Sequence, residues 1–489
     1  MTSKSTKRAL ITSALAILMC AAMLIGATFA WFTDTASTVV NKIVSGNLKV
    51  DIIGADSDSH IEKLNFTKAA TTDAEAGAEI LWEPGCRYLT EGFRIANKGN
   101  LALKWKAQVN TGTTAANEGN FDLLDVIDFY LVTKAADGTE TETALDEFTG
   151  NLKKTETSDV YYIKGVMQTT AGNDYQGLTL DGISITVVAT QDTVESDSFD
   201  NQYDKDAEYP ILVTTGDELQ AIVSNATAPV NIVLTNSITT NNFVIPEDKD
   251  VTLDLNGRTV TNAGSHTILN KGHLTLTDSS ADKSGQIISL KGNTAALRNG
   301  DNAVCVVEGG TISRDGANGN TWHVVENFGK MTFNGGKVVL KNGNGFAITN
   351  GWNYFDPGAS TTHAVMEINA LELDTDSSGI KNCRYGDLTV NDVTVTSTGY
   401  WALSNDYLGT AVINGGTFTS TSFKAVSNGA AMTVNGGTFD GTQGFFVQSY
   451  ATSTVLNGGT FTNMNVNALS NYVGTGHTAQ QSGTSVIIK

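Results

Sequence analysis

The chain has 489 residues and a formal net charge of −20, from 51 acidic and 31 basic residues. This acidic balance argues against binding to nucleic acid or to anionic membrane surfaces, because both carry negative charge. Its 49 glycines and 5 prolines suit a turn-rich all-β chain, and its 4 cysteines do not form the pattern of a disulfide framework.

The first thirty residues have the composition of an export signal. Lys4, Lys7 and Arg8 form a basic start, and residues 9–30 are uncharged and mostly apolar. We therefore predict a signal peptide over the first thirty residues, with cleavage after Ala30. An uncleaved anchor is the alternative, because the 22 uncharged residues are long enough to span a bilayer.

A β-sandwich is predicted for residues 31–200. Runs such as Leu103–Val109 and Ile183–Val188 alternate between apolar and polar residues, as strands do when one face of an antiparallel sheet is exposed to solvent. An acidic linker, residues 201–212, follows within a run, residues 191–209, that has seven acidic residues and one lysine. This run lacks the glycine-centred pattern of an EF-hand, so we expect no defined cofactor and only diffuse calcium binding.

A solenoid is predicted for residues 213–489. Thr215 and Glu218 have the spacing of a capping box at the start of a short amphipathic helix over residues 217–225. Such a helix would cover the first coil, because an open solenoid end exposes its core and an unpaired strand edge.

A repeated Asn-Gly-Gly phrase, followed by β-branched and aromatic residues, sets the period of the solenoid. The phrase or a weaker version of it starts at residues 308, 334, 369, 391, 414, 435 and 457, so most steps are near 22 residues. Propeller blades need about 40–45 residues and leucine-rich repeats need a different phrase, so we predict a right-handed parallel β-helix. Stacked amides would form a ladder along one bend, made of Asn334, Asn369, Asn391, Asn414, Asn435 and Asn457.

A second column of amides precedes a turn in each coil. Five of its members lie 7 or 9 residues before the next phrase, and this variation of two keeps later side chains on one face because strands have period 2. The column consists of Asn327, Asn350, Asn382, Asn405, Asn428, Gln448 and Asn471.

An apolar stack would fill the interior of the solenoid. The interior stack consists of Ile312, Val338, Leu373, Val395, Phe418, Phe439 and Phe461.

Residues two positions beyond the second column form a candidate binding stripe. If the coils stack, these side chains lie in an outward row roughly 19 Å long, with Trp401 beside it. Aromatic rings and an arginine on a rigid face suit a glycan or a partner protein, although each ring could instead only cover a turn. An inserted loop near Gly351–Pro357 would overhang the row. The stripe consists of Trp352, Arg384, Tyr407, Ala430 and Tyr450.

Catalysis is the less favoured hypothesis. A glycosidase needs two carboxylates about 5–9.5 Å apart. Asp374 and Asp376 are the best local pair, but the matching positions of the next coil are Thr396 and Thr398. The six histidines are scattered and form no zinc motif, so we predict neither catalytic residues nor a metal site.

The N-terminal half also resembles a known family. The segments Gly26–Asp34, Trp82–Gly85, Ile95–Leu101 and Thr190–Phe199 are similar to the export signal and the mature part of TasA/camelysin-like proteins, over about residues 10–209. Those are envelope and biofilm-matrix proteins of Gram-positive bacteria, released by a SipW-type signal peptidase. The solenoid in turn resembles pectate-lyase-like β-helix domains. These resemblances imply a secreted, envelope-associated protein.

Two functions remain open at this point. The favoured hypothesis is a structural or adhesive protein of the cell surface or matrix, whose β-helix binds a glycan or a surface protein. Its N-terminal domain would support self-assembly, with Trp31–Ile53 adding as a strand to a neighbouring molecule. The alternative is a secreted polysaccharide lyase or glycoside hydrolase on the β-helix.

Overall fold

The structure, a computed structural model, describes most of the chain from residue 48 onward. It describes residues 48–61, 64–67, 82–110, 113–114, 121–145, 148–178, 180–181, 184–192, 208–319, 321–352 and 362–489. The predicted signal peptide with Ala30, most of the acidic linker and most of the loop after Trp352 lie outside the described residues. Within the described part of the chain, no helix is both long enough and apolar enough to cross a membrane.

The N-terminal part folds into antiparallel sheets, as predicted. The larger sheet contains Val50–Gly54, Phe66–Thr67, Arg87–Thr90, Phe93–Asn97, Ile127–Lys134, Glu140–Ala144 and Tyr161–Met167. The second sheet contains Leu103–Asn110, Phe148–Leu152 and Ser184–Gln191, and a small pairing joins Thr113–Thr114 to Leu180–Asp181. Short 3₁₀ turns span Leu123–Asp125 and Asn173–Tyr175.

Side chains from both sheets form one core. Phe93 and Ile95 come from the larger sheet, Leu103 and Trp105 come from the second sheet, and all four are buried. The Trp105 ring meets Phe148 edge-on, with 5.6 Å between the ring centroids. Face-to-face packing of antiparallel sheets is the arrangement that the alternating sequence pattern predicts.

The C-terminal part is a parallel β-solenoid of about ten turns. Each coil contributes one strand to each of three parallel sheets, so equivalent residues pair in register from coil to coil. The first sheet contains Ile211–Val213, Val230–Leu234, Asp250–Asp254, His273–Thr277, Val304–Val307, Lys330–Phe333, Ala364–Ile368, Gly386–Val390, Thr410–Ile413, Ala431–Val434 and Ser453–Leu456. The Ile211–Val213 strand begins within the predicted linker and ends at the first residue of the predicted solenoid.

The second and third sheets complete each coil. The second sheet contains Ile238–Thr240, Thr259–Asn262, Gln286–Ser289, Thr311–Asp315, Lys337–Lys341, Glu372–Thr375, Thr394–Ser397, Thr417–Ser420, Thr438–Asp440 and Gly459–Phe461, and then the antiparallel Ser485–Ile488 and Ala479–Ser482. The third sheet contains Phe243–Ile245, Ile268–Asn270, Leu297–Asn299, Val325–Asn327, Phe346–Asn350, Ser378–Asn382, Leu403–Asn405, Lys424–Asn428 and Gln443–Val447. A 3₁₀ turn spans Ala317–Gly319.

The predicted interior stack is present in the second sheet. Its seven residues pair in succession from Ile312 to Phe461, and each is almost completely buried. The rings of Phe418 and Phe439 are parallel within 11°, with 5.3 Å between their centroids. Phe439 and Phe461 repeat this geometry at 4.8 Å, close to the strand spacing of roughly 4.8 Å that in-register stacking imposes.

The Asn-Gly-Gly phrase forms an exposed amide ladder at one bend. Each asparagine from Asn369 to Asn457 donates its side-chain N–H to the amide oxygen of the preceding coil, at 2.7–2.9 Å. The first glycine of the phrase lies against backbone below it, because a Cβ on Gly415 would come within 2.7 Å of the Asn391 carbonyl oxygen. The second glycine has positive φ, for example +100° at Gly416, which side chains disfavour.

The second amide column forms a buried ladder that is longer at one end than predicted. It starts at Asn270 and Asn299 and runs to Asn428, with each amide N–H donated to the next coil at 2.7–2.9 Å. At the other end the prediction was wrong. Val447 pairs with Asn428, so Gln448 lies one residue outside the column, and Asn471 lies in the 3₁₀ turn Ser470–Tyr472.

A helix covers the first coil. It spans Gly216–Asn225, close to the predicted range, and the Thr215 hydroxyl accepts the backbone N–H of Glu218. The Gln220 side chain bonds both the N–H and the C=O of Val244, at 2.8 and 3.0 Å, so it occupies the place of a missing strand at the edge of the third sheet.

The last coil is closed differently. The short helix Val466–Leu469 and the antiparallel hairpin of the second sheet follow the final parallel strand. Ala479–Ser482, the outer strand of this hairpin, is polar and largely exposed. A short polar edge of this kind disfavours pairing with a neighbouring molecule.

The two ladders predict different costs of substitution. Asn405→Ala is expected to destabilise its coils by about 3 kcal/mol, because it removes the buried hydrogen bonds of this side chain to Asn382, Asn428 and the Ala431 carbonyl at a site that water does not reach. Asn414→Ala, in the exposed ladder, should cost about 1 kcal/mol or less, since water replaces the lost bonds. Amide hydrogen exchange in Leu403–Asn405 and Lys424–Asn428 measures the loss of stability in each of the two variants. Equal loss of protection would contradict the assignment of the buried ladder as the stronger one.

Candidate functional site

The outward column of the third sheet is recessed. Arg298, Glu326, Thr349, Lys381, Ser404 and Ser427 pair in succession along the axis of the solenoid. Their sequence neighbours point into the core, so these side chains face away from it. Even so, Glu326 is only 4% exposed and Ser427 only 1%. Outward side chains with so little exposure must be covered from both sides, and the column is therefore the floor of a groove, called here the third-sheet groove.

One side of the groove is formed by aromatic residues at the start of successive strands. In this N-terminal wall, the ring of Trp401 meets Phe423 edge-on with 5.1 Å between centroids. Tyr400 lies beside both rings and is 54% exposed. The wall consists of Trp322, His323, Phe346, Tyr400, Trp401 and Phe423.

The other side is formed by residues that follow the strands. In this C-terminal wall, Trp352 packs on Phe328 with 4.5 Å between ring centroids. Arg384 pairs with Trp352 through two backbone hydrogen bonds, and its guanidinium lies 4.7 Å from the Tyr385 ring centroid. Tyr407 is 44% exposed. We define the C-terminal wall as the aromatic and arginine residues that closely follow the third-sheet strands in the chain, namely Phe328, Trp352, Arg384, Tyr385, Tyr407 and Tyr450.

The walls meet around a pocket of about 180 Å³. Lys381, Ser404 and Ser427 belong to its floor, and Trp401 and Tyr450 belong to opposite walls. The Lys381 ammonium forms an ion pair with Asp406 at 3.2 Å and lies 5.2 Å from the centroid of the Phe346 ring. A pocket with aromatic sides and hydroxyl and charged groups on its floor offers both stacking and hydrogen bonding to a ligand.

A second polar cluster lies two coils before this pocket. The Glu326 carboxylate accepts one hydrogen bond from Arg298 at 3.0 Å and one from the Trp322 indole at 3.1 Å. Burial raises the pKa of Glu326, and Arg298 acts against that rise. This carboxyl group is thus held in a fixed position on the groove floor.

The structure shows contacts for two pairs of the candidate binding residues. Trp401 and Tyr450 line the same pocket, and Trp352 and Arg384 are joined by a backbone bridge. Ala430, which the sequence places in the same outward row, is buried. The Tyr450 ring takes its place, because it lies directly over Gly429.

Apart from Trp401, sequence analysis missed the N-terminal wall, and it missed the floor. A signal for the wall is present, because an aromatic residue stands four or five positions before four of the column asparagines, although Asn382 has serines there. Phe346 and Trp401 are four positions before theirs, and Trp322 and Phe423 are five. The floor has no such signal, since its residue types differ from coil to coil.

The two carboxylates that the sequence offers as the best local pair each have their own partner. Asp374 is bound to Lys341 at 2.8 Å, and Asp376 accepts the backbone N–H of Asn342 at 2.7 Å, both on the second sheet. In the groove, Glu326 and Asp406 are three coils apart, which corresponds to roughly 14 Å at strand spacing. Paired glycosidase carboxylates are about 5–9.5 Å apart.

Histidine and cysteine side chains are engaged individually. His60 contacts Asp51 at 2.6 Å and His363 contacts Asp387 at 2.8 Å. Across the described residues, no three or more His, Cys, Asp or Glu side chains are grouped so that they could hold a metal ion. Burial raises the pKa of both Cys305 and Cys383 to about 12, so these thiols stay protonated near neutral pH.

No protein-family model matches the chain, and no curated protein matches it. The similarity to TasA/camelysin-like proteins therefore rests on the N-terminal sequence segments alone. The assignment of the C-terminal part as a β-solenoid rests on the structure.

One residue of the N-terminal wall predicts acid sensitivity. Burial, with Lys381 nearby, lowers the pKa of His323 to about 4, and its Nδ1 accepts the backbone N–H of Phe346. In the unfolded chain His323 binds a proton with a pKa near 6.5, whereas in the folded chain it stays neutral until the pH approaches 4. Folding stability is therefore full above pH 6.5 and falls as the pH drops toward 4, by about 2 kcal/mol between pH 7 and 4.5.

The His323→Gln variant tests this pH dependence. A glutamine oxygen can accept the same N–H without titrating, so the variant should lose less stability between pH 7 and 4.5 than the wild type. Denaturant unfolding at both pH values measures the difference, and the carboxylates common to both proteins cancel. An identical loss in the two proteins would contradict the assignment.

Proposed function

We propose that this chain is a secreted or cell-surface protein without enzymatic activity, whose third-sheet groove binds a glycan. The observation that carries the proposal is a recessed polar floor between two aromatic walls, with Trp401 and Tyr450 lining one pocket from opposite sides. A sugar ring has apolar C–H faces and a polar edge of hydroxyl groups. It can therefore stack on the wall rings while its hydroxyl groups bond to the floor.

The shape of the groove favours a polymer over a small molecule. The floor column continues over six coils from Arg298 to Ser427, which corresponds to roughly 24 Å at strand spacing. Aromatic residues accompany this column on both sides. A polysaccharide lying along the solenoid axis could contact several coils at once, and the contacts of its linked units would reinforce one another.

The proposed location comes from the N-terminal sequence. The basic start at Lys4, the apolar segment up to Ala30 and the similarity to TasA/camelysin-like proteins support export, processing by a SipW-type signal peptidase and association with the cell envelope. A protein of that kind would use its N-terminal domain for assembly and its β-helix for adhesion.

An enzyme is the second candidate, and one observation favours it. Glu326 lies in the groove with a raised pKa, as a general acid of polysaccharide cleavage would. Incubation with pectins, mucins and wall glycans, with and without calcium, separates the two functions. New reducing ends or unsaturated products would establish cleavage, and Glu326→Gln and Asp374→Ala would show which carboxylate it needs. Retention on a glycan without products supports the adhesive function.

The double variant Trp401→Ala/Tyr450→Ala is expected to weaken glycan binding by about 10- to 100-fold, because two stacking rings of one pocket are lost. A glycan array selects the ligand of the wild type, and isothermal titration calorimetry measures its affinity. Trp352→Ala/Tyr407→Ala tests the C-terminal wall in the same way. Tyr130→Ala removes a ring from the N-terminal sheet and serves as the control. Unchanged binding by a folded double variant would exclude the groove as the site.

Removal of residues 31–45 is expected to reduce self-assembly. These residues precede the strand Val50–Gly54, which pairs with Phe93–Asn97. An extended segment there can add as a strand to the sheet edge of another molecule. Light scattering on the full chain and on the deletion variant measures the mass of the assemblies. The same mass for both proteins would contradict assembly through this segment.

A further inference from the structure

We infer that the third-sheet groove selects glycans that carry anionic groups, namely carboxylate, sulfate or phosphate, and that Arg384 is the anchor for such a group. This inference rests on the proposed glycan-binding function and specifies its ligand class. It is carried by two independent features of the groove, its unpaired hydrogen-bond donors and its local charge.

Three N–H groups of the groove walls have no acceptor. Within the described residues, Trp352 Nε1, Arg384 Nε and Trp401 Nε1 are buried without a hydrogen-bond partner. All three atoms are donors and none is an acceptor. A buried donor without a partner destabilises the free protein, so a ligand oxygen that displaces the side chains covering it would stabilise the complex. The groove therefore favours ligands that are rich in acceptors.

The charge of the groove differs in sign from that of the chain. The carboxylates of Glu326 and Asp406 are each paired with a groove cation, Arg298 and Lys381 respectively. Asp301, at the first coil of the groove, also interacts with Arg298. Two further cations, Arg384 and Lys424, have no carboxylate partner among the described residues. These two positive groups stand in a chain whose net charge is −20.

Arg384 is held in the geometry that an anion requires. Two backbone hydrogen bonds to Trp352, at 2.9 and 3.1 Å, fix its main chain. The Tyr385 hydroxyl accepts a hydrogen bond from Nη2 at 3.0 Å, and the Tyr385 ring supports the guanidinium. A guanidinium fixed in this way can present its remaining N–H groups to two oxygens of one anionic group.

Lys424 provides a second positive group further along the axis. Its ammonium lies 3.2 Å from the centroid of the Phe446 ring and 5.7 Å from that of Phe423. The third-sheet strand that precedes Arg384 and the strand that contains Lys424 are two coils apart, which corresponds to roughly 10 Å along the axis. Two cations at this separation suit a polymer with repeated charges better than a single charged sugar.

The test compares polymers with and without charge on the purified full chain. The probes are polygalacturonate for carboxylate, chondroitin sulfate for sulfate, poly(glycerol phosphate) for phosphate, and a neutral galactan. We expect at least one anionic polymer to bind at least 10-fold more tightly than the galactan, and the probe that binds best identifies the group. Equal affinity for neutral and anionic polymers would overturn this inference but leave the proposed function intact. No binding to any glycan, on these probes or on an array, would remove the proposed function as well.

Variants then locate the anchor. Arg384→Gln should weaken binding of the preferred anionic polymer by about 10- to 100-fold, because a charge-assisted pair of hydrogen bonds is lost. Arg384→Lys keeps the positive charge but lacks the planar N–H donors that bind two oxygens at once, so it should recover only part of the affinity. Lys330→Gln is the matched control, since it removes one exposed positive charge from the first sheet of the same solenoid. Thermal unfolding by circular dichroism confirms that each variant is folded. An equal effect of Arg384→Gln and Lys330→Gln would show that net charge acts, and not Arg384.

Discussion

Stacking of parallel strands in register is the constraint on which the rest of this structure depends. Each coil places its residues directly over those of the preceding coil, at a spacing of roughly 4.8 Å. Identical residues therefore interact with each other, as the three stacked phenylalanine rings and both amide ladders do. Any residue that breaks the register of one coil displaces every side chain that depends on it. Such a solenoid can only end where its open edges are covered, which the Gln220 side chain does at the first coil.

The two ladders have opposite polarity and different roles. The exposed ladder donates toward the N-terminus of the chain, and the buried ladder donates toward the C-terminus. The buried amides also donate to backbone carbonyls of the following turn, as Asn405 does to Ala431 at 2.8 Å. They thereby fix the corner between the third and first sheets. Arg384 and Tyr407 each lie two residues after an asparagine of the buried ladder. The position of the C-terminal wall therefore depends on that ladder.

Local repetition could be predicted from the sequence, and contacts between columns could not. The period near 22 identified the β-helix because each strand keeps its own residue types from coil to coil. Gln448 was assigned wrongly because the last third-sheet strand is shifted by one residue, and nothing in the amide pattern indicates that Val447 takes the inward position. Asn270 was missed because its coil lacks the Asn-Gly-Gly phrase, whereas Asn299 lies nine residues before the weaker phrase at residue 308 and fits the spacing of the column. The groove forms because residues before and after each third-sheet strand flank the outward column of that sheet. The repeat pattern of one column in the sequence does not reveal which residues flank it.

The acidic charge of the whole chain does not prevent an anionic ligand from binding in the groove. At physiological ionic strength the Debye length is about 8 Å, so exposed charges on distant parts of the chain are largely screened. Within that distance a ligand in the groove interacts mainly with Arg384, Lys424 and the paired groups of the floor. The surrounding carboxylates slow its approach at low salt, and the groove cations act once it has docked. Raising the ionic strength from low values then affects the two steps in opposite directions, because it screens the long-range repulsion and also weakens the short-range ion pairs.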